Sequence, residues 1–473
     1  MIPRRTKIVA TLGPSVDSEE AIAELLEAGA DVFRLNLSHA EREDHQRFVD
    51  QARKAQARTG RNVAIMVDLQ GPRLRVGRIE GGRMMLETGG QAVLTSRDVM
   101  GADGIVPVTY SDLERDLEEG VTVLIDDARV ECVVTKVTPD GVTVDVVRGG
   151  PVGNRKGINM PDFRISSPSV TDKDMEDIRW TASAGVDYVA VSFIRDAEAI
   201  ERVKQELHRH GADLPVVAKI ELRDAVDNIK AIVGAADVVM VARGDLGIEL
   251  PLSQIPLIQK EIVEQCNRHA KPSIIATQML ESMTDSPRPT RAEVSDVANA
   301  ILDGADAVML SGETAVGSYP VEAVSQMDCI AKDVEAGGII ETPELEGFPD
   351  GLPIPVAVSQ STVDLADRLD AKAIITFTTS GFTARHHAAS RPRTPILAVS
   401  PWEAVVRRMA LYWGVQAVAI TQVDDTDEMM EQARQAALDQ GLAEPGDVVV
   451  IAAGLPLEVS DTTNLIQVRR IRG

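Results

Sequence analysis

The chain of 473 residues carries 49 Lys and Arg against 73 Asp and Glu, a formal charge of −24 at pH 7, with 44% hydrophobic residues. That charge argues against nucleic acid as a partner, since phosphate backbones are bound through excess Lys and Arg, and no apolar run approaches the ~20 residues a membrane span needs. Three scattered cysteines, Cys132, Cys266 and Cys329, offer neither a disulfide framework nor a CxxC metal site and point to a reducing cytoplasm.

The first strand is expected at Lys7–Leu12, directly after Met1-Ile2-Pro3-Arg4-Arg5, which lacks the apolar stretch of an export signal. A helix start follows at Asp17-Ser18-Glu19-Glu20, where acidic and hydroxyl side chains can cap free backbone N–H groups. The same grammar recurs at Val32–Leu37, Val63–Leu69, Tyr188–Phe193, Val216–Ile220, Val238–Ala242, Ser273–Thr277 and Ala307–Leu310, with a second clear cap at Thr171-Asp172-Lys173-Asp174. Strand–helix units at this regularity imply a parallel sheet. Polar residues at nearly every strand end favour a closed (β/α)8 TIM barrel over a doubly wound open sheet.

The third unit is interrupted by short alternating runs at Thr122–Ile125, Glu131–Val137 and Val142–Val147, punctuated by Gly81-Gly82, Gly89-Gly90 and Gly149-Gly150. This predicts a small β-barrel domain inserted in a barrel loop, placed to act as a lid. Glu341–Pro355 reads as a linker, with Glu341–Glu346 as a solvated stretch of it. Ala371–Phe377, Thr394–Val399, Val415–Ile420 and Asp447–Ile451 then alternate with helical segments as a C-terminal α/β domain. The expected division is residues 1–70 and 167–340 for the barrel, 71–166 for the insert and 341–473 for the last domain.

The chemistry gathers at strand ends. Val216–Glu221 (VVAKIE) and Val238–Gly247 (VVMVARGDLG) are apolar runs that stop abruptly at Lys219 and Glu221 and at Arg243 and Asp245. Two carboxylates beside a lysine can hold a divalent cation and leave one positive charge for a phosphate or enolate. Arg34 and Asn36 alternate with apolar neighbours and share one side of their strand; Arg73 and Arg75 follow the third strand, and Lys156 lies in the insert. Taken singly, each cation is more often half of a salt bridge. Their convergence on one face of a barrel favours a site for anions.

Arg5–Ser15 (RTKIVATLGPS), Asp31–His39 (DVFRLNLSH), Asp68–Arg75 (DLQGPRLR), Lys219–Glu221, Ala242–Gly247 (ARGDLG), Ile275–Met283 (IATQMLESM), Arg291–Asp296 (RAEVSD) and Met309–Thr314 (MLSGET) resemble the signatures of the pyruvate kinase family, in its order. The resemblance implies phosphoryl transfer from phosphoenolpyruvate to ADP, giving ATP and an enolate that is protonated to pyruvate. It places Mg²⁺ or Mn²⁺ on Glu221 and Asp245, the transferring phosphoryl group on Lys219 and Arg34, and the substrate carboxylate at the turn Ala242-Arg243-Gly244-Asp245. Thr277 or Ser311 would relay the proton, Thr277 being favoured by the resemblance. Thr11, Pro14, Asn36, His39, Arg75 and Lys156 would meet the nucleotide.

Asp127 matches a lid acid that the family usually follows with glycine, whereas this chain has Ala128. Many members of the family hold K⁺ at positions matching Asn36, Ser38, Asp68 and Leu69, with a glutamate where this chain has Arg73. Leu69-Gln70-Gly71-Pro72-Arg73-Leu74 resembles the K⁺-independent branch, in which a fixed cation replaces the ion. Thr378-Thr379-Ser380-Gly381-Phe382-Thr383 matches a loop that binds phosphorylated effectors in the family, and is equally consistent with a plain capping turn. Glu458 and Asp461, in a late loop where relatives have glycines, would repel a sugar bisphosphate. A homotetramer is implied by resemblance alone.

Two other functions keep the same scaffold: a catalytically silent nucleotide- or metabolite-binding regulator, and a metal-dependent lyase of pyruvate-like acids. Intact Lys219, Glu221, Asp245 and Thr277 count against the first, and Arg75 and Lys156 would have no purpose in the second. Blander roles are expected elsewhere. Arg291–Asp296 caps and packs a barrel helix, with a role at a subunit interface as the alternative, Met279, Met283 and Met309 fill the core, and His386-His387 lies on a helix surface.

Overall fold

The computed structural model describes residues 4–161, 163, 166, 168–338, 345, 351–422, 425–455 and 462–472. Eight strands form the central barrel: β1 (Lys7–Thr11), β2 (Val32–Asn36), β3 (Ala64–Asp68), β4 (Tyr188–Val191), β5 (Val216–Ile220), β6 (Val238–Ala242), β7 (Ser273–Ala276) and β8 (Ala307–Leu310). All neighbours run parallel, and β1 closes the ring by pairing with both β2 and β8. Each predicted strand is present, some shortened by a residue or two where the end turns into the following loop. Side chains alternate along a strand, so Val9, Val32, Met66, Ala190 and Val217 share one apolar cluster inside the ring. Two residues further along the same strands stand Thr11, Arg34, Asp68, Ser192 and Lys219, all buried. The barrel interior is thus oily at its floor and charged at its mouth. The outward residues pack against the surrounding helices in a separate large cluster.

A repeat at the floor sets the register. Asp31, Asp187, Asp237 and Asp306 each stand immediately before an even-numbered strand, and each carboxylate accepts the N–H of a residue at or near the start of the preceding odd strand. The donors are Ile8 at 2.8 Å, Ile65 at 2.8 Å, Val216 at 2.9 Å and Ser273 at 2.8 Å. A carboxylate in that place satisfies an N–H that the parallel ladder leaves unpaired. Each also meets a cation: Arg4 on Asp31, Arg53 and Arg407 on Asp187, Lys204 on Asp237, and Arg391 on Asp306.

Two of those cations, Arg391 and Arg407, come from the C-terminal domain and fasten it beneath the barrel. Its sheet orders Val415–Ala419, Ile396–Ser400, Ala373–Phe377, Val448–Gly454 and Thr463–Arg470, the last strand antiparallel. That final strand was not among the expected elements. The apolar cluster of the barrel interior runs on without a break into Val405, Met409, Leu411 and Tyr412 of this domain. Of the expected linker, the residues described are 345 and 351–355.

Between β3 and β4 the chain forms a seven-stranded sheet from Leu74–Arg75 to Gly157–Asn159. A bridge between Val76 and Val108 joins its two edge strands and closes it around Val106, Val123, Cys132 and Val144. The expected caps are in place: the Ser18 side chain accepts the Ala21 N–H, and Thr171 and Asp174 form a reciprocal capping box.

Arg391 donates to Asp306, Asn267 and the Gly304 carbonyl while its guanidinium stacks on Trp413, and the ion-paired side chains are 2% and 6% exposed. Removing one partner of a buried pair strands the other charge, which costs about 3–5 kcal/mol. Arg391→Ala is therefore expected to lower unfolding stability by that amount in denaturant titrations; an unchanged midpoint would contradict this role.

Candidate active site

At the barrel mouth the inward side chains form a continuous charged network. Arg34 on β2 donates through Nε and Nη2 to Asp68 Oδ2 at 2.8 and 2.6 Å, and through Nη1 to Thr11 Oγ1 at 3.2 Å. Lys219 Nζ lies 3.1 Å from Asp68 Oδ1, 2.9 Å from Glu221 Oε1 and 2.7 Å from Ser192 Oγ. Burial alone would push the Asp68 carboxyl up, but Lys219 and Arg34 outweigh it and hold it below the ordinary range. Burial likewise opposes the Lys219 charge, and Asp68 and Glu221 overcome it, so the ammonium is held more firmly than usual. Glu221 goes the other way. Burial raises its pKa, Lys219 compensates only in part, and the nearby Asp245 adds to the rise.

That imbalance is what a dication would relieve. Glu221 and Asp245 face the same cavity, both are hard oxygen donors, and the charge of Asp245 disfavours the ionised form of Glu221. Among the described residues no cluster of three or more His, Cys, Asp or Glu could hold a metal ion. A pair of carboxylates leaves the remaining positions to substrate and water, as Mg²⁺ prefers.

The cavity has a volume of about 70 Å³ and is lined by Arg34, Asn36, Ser38, Arg73, Lys219, Glu221, Ala242, Asp245 and Thr277, together with Gln70, Ser192 and Phe193. Arg73 reaches in from the base of the insert to Asp245 Oδ1 at 3.1 Å. Asp68 is enclosed behind Arg34 and Lys219, and Leu69 is fully buried beside it. Thr277 holds φ at +69°, costly for a β-branched residue and of the order of 1–3 kcal/mol. Its Oγ1 accepts the Gly244 N–H at 2.8 Å and donates to the Ala276 carbonyl at 2.6 Å, which ties the end of β7 to the helix Arg243–Glu249.

Several expected site residues do not line the cavity, Arg243 and Ser311 among them. The Arg243 guanidinium turns outward to Asp296 at 2.8 Å and to the Thr277 carbonyl at 2.8 Å, bracing the turn from behind, with Asp296 supplied by the helix Arg291–Leu302. The Ser311 hydroxyl is buried with no hydrogen-bond partner among the described residues, while its N–H donates to Glu313.

Toward the insert, His39 has its pKa lowered by burial and by Arg75, Arg34 and Arg73, so it stands neutral among cations. Arg75 donates to the Arg155 carbonyl, and Lys156 pairs with Asp126 at 2.9 Å. Pro14 opens the short turn Pro14–Val16 after β1. Asp126, Asp127 and Ala128 take φ of +55°, +53° and +60° in succession, so Ala128 occupies a left-handed position that glycine would fill at lower cost. Sequence reasoning overlooked Ser192 and Phe193 as site residues, although they directly follow β4 much as Glu221 follows β5.

In the C-terminal domain, Thr378 Oγ1 accepts the Gly381 N–H and Ser380 Oγ accepts the Phe382 N–H, with Thr379 between them, ahead of the helix Phe382–Ala389. Thr383 is buried against Thr463. Glu458 and Asp461 lie outside the described residues. The expected surface position of His386-His387 is corrected: the two are 5% and 0% exposed. His387 Nδ1 bonds Thr376 Oγ1 at 2.7 Å, and Nε2 has no partner among the described residues. The ring packs as a neutral group. Met279, Met283 and Met309 are buried as expected.

The chain belongs to the pyruvate kinase family. Residues 3–324 match the family's barrel domain and residues 356–469 its alpha/beta domain. A pyruvate kinase from Mycobacterium intracellulare is 44% identical over 468 residues, covering 99% of this chain and 98% of that protein. One from Corynebacterium glutamicum is 44% identical over 465 residues, covering 98% and 97%. The crystal structure of a pyruvate kinase from Cryptosporidium parvum superposes with a TM-score of 0.91 at 33% identity, covering 99% of this chain and 96% of that one. No described helix is long and apolar enough to cross a membrane.

Burial lowers the His387 pKa from 6.5 to about 3, with His386 adding to the shift. The unfolded chain therefore binds one more proton between those values, and stability falls as pH drops below 6.5 by about 1.4 kcal/mol per unit. His387→Gln should remove that slope, so its unfolding free energy converges on or overtakes the parent's between pH 6 and 4. Parallel profiles would contradict a neutral buried ring.

Proposed function

We infer that the barrel mouth carries out the family's reaction: the phosphoryl group of phosphoenolpyruvate passes to ADP, giving pyruvate and ATP. The P–O bond to the enol oxygen breaks and a new one forms to the terminal oxygen of ADP. The enolate left behind takes a proton at carbon. The observation that carries this reading is Lys219, held charged between Asp68, Glu221 and Ser192 and facing a cavity it shares with Arg34, Asp245 and Thr277.

Each role follows from placement. Lys219 stabilises the negative charge that develops on the enol oxygen and the transferring group, and Arg34, fixed in orientation by Asp68 and Thr11, grips the phosphate with the face left free. Glu221 and Asp245 would hold Mg²⁺ or Mn²⁺, which when bound neutralises phosphate charge and polarises the substrate oxygens. The turn Ala242-Arg243-Gly244-Asp245 receives the substrate carboxylate through backbone N–H groups, with the Arg243 side chain as a brace. Thr277 lines the cavity and both accepts and donates hydrogen bonds, which suits a proton relay; Ser311, set apart from the cavity, is the weaker candidate. Asn36, His39, Arg75 and Lys156, with Thr11 and Pro14, form the nucleotide side beneath the insert, residues 71–166, which acts as the lid. A cytoplasmic homotetramer fits the family. The turn Thr378–Thr383 is the candidate for a phosphorylated effector.

Lys219→Met is expected to reduce kcat on the order of 10²–10³, or more, while leaving phosphoenolpyruvate binding largely intact in a coupled pyruvate assay. Retention of a third of parental turnover would overturn the role of Lys219.

Arg73 stands in the cavity with Asn36 and Ser38 and pairs with Asp245, which supports a fixed cation in place of K⁺. Activity in buffer free of K⁺ and Na⁺ should match that at equal ionic strength with K⁺, and Arg73→Glu should create a K⁺ requirement. Tenfold activation of the parent by K⁺ would refute independence.

A further inference from the structure

Phe193 follows β4 with φ at +54°, a left-handed conformation that an aromatic residue adopts only at a cost. Contacts on two sides hold it there. Its N–H donates to Glu221 Oε2 at 2.8 Å. Its ring lies against the base of the insert, where a Cβ added to Gly71 would stand 2.9 Å from Phe193 Cδ2, so that only glycine lets the backbone pass so close. Arg73, two residues on, places Cζ 6.0 Å from the ring centroid, at the outer limit of cation–π attraction. The same Arg73 reaches Asp245 at 3.1 Å.

Behind Phe193 lies a second cavity of about 170 Å³, walled by Leu74, Ile158 and Met160 of the insert and by Leu222 beyond β5. Phe193 and Arg73 line both this space and the catalytic cavity, and so form the partition between them. The ring thus links the base of the insert, at Gly71 and Arg73, to the N–H that holds Glu221.

We propose that Phe193 is a positioning residue that supports both carboxylates of the metal site, Glu221 through its own N–H and Asp245 through the Arg73 resting on its ring, so that lid hinge and metal site share one support. This rests on the reading of Glu221 and Asp245 as metal ligands. Groups that orient metal ligands without touching the ion typically affect affinity on the order of 10–100-fold.

The test is Mn²⁺ binding to the substrate-free protein, followed by the electron paramagnetic resonance signal of free Mn²⁺, with Glu221→Gln measured alongside. Phe193→Gly, which frees the backbone and removes the ring, and Phe193→Leu, which keeps bulk without an aromatic face, should each raise the Mn²⁺ dissociation constant on the order of tenfold. Phe193→Tyr should restore parental binding, which a general loss of packing would not explain. Should Phe193→Gly fail to fold, the Leu and Tyr variants carry the same comparison at matched thermal midpoints. Parental Mn²⁺ binding in Phe193→Leu while Glu221→Gln loses it overturns the support and leaves the metal site standing. Parental binding in Glu221→Gln overturns both.

Discussion

The structure turns on a cluster of opposite charges buried at one end of a parallel barrel. Asp68 is 1% exposed and holds two cations, Arg34 and Lys219, of which Lys219 also meets Glu221. A buried ion is unfavourable unless paired and hydrogen-bonded, and here each group is retained because its neighbours are fixed on adjacent strands. The cluster is balanced but not equally so: Asp68 is held below its ordinary pKa and Glu221 above. The raised Glu221 and its neighbour Asp245 face the cavity, the side on which we propose that a dication and an anionic substrate bind.

The floor of the barrel does the complementary work. Four aspartates placed before the even strands fix neighbouring N–H groups, and two of them also receive arginines from the C-terminal domain. The mouth can therefore hold mismatched charge and left-handed residues such as Thr277 and Phe193, because the register beneath it is pinned. Arg407 and Arg391 tie the C-terminal domain to the aspartates that precede β4 and β8.

Much of this was legible in the sequence for a simple reason. A strand buried on both faces must be an apolar run, and a run that stops at Lys219 and Glu221 or at Asp245 marks a strand end carrying chemistry. The insert's closed sheet was legible from its alternation and glycine pairs. The last strand, Thr463–Arg470, was not, because it is an edge whose residues are mostly half-buried or exposed without alternation and it ends in Arg469 and Arg470. His386 and His387 read as surface because the sequence does not disclose that a neutral imidazole packs against Thr376. The four floor aspartates escaped notice because the insert and unequal loops break their spacing. The outward turn of Arg243 and the support given by Phe193 depend on backbone angles that composition does not encode.

We propose that Glu221 and Asp245 form one divalent-cation site at the edge of this charge network. Crystals grown with Mn²⁺ and phosphoenolpyruvate, examined by anomalous scattering, test it most directly. A single strong peak is expected between the two carboxylates, within coordination distance of both and of substrate oxygens. A peak held by other residues, or none at that position while substrate is bound at Lys219, would contradict it.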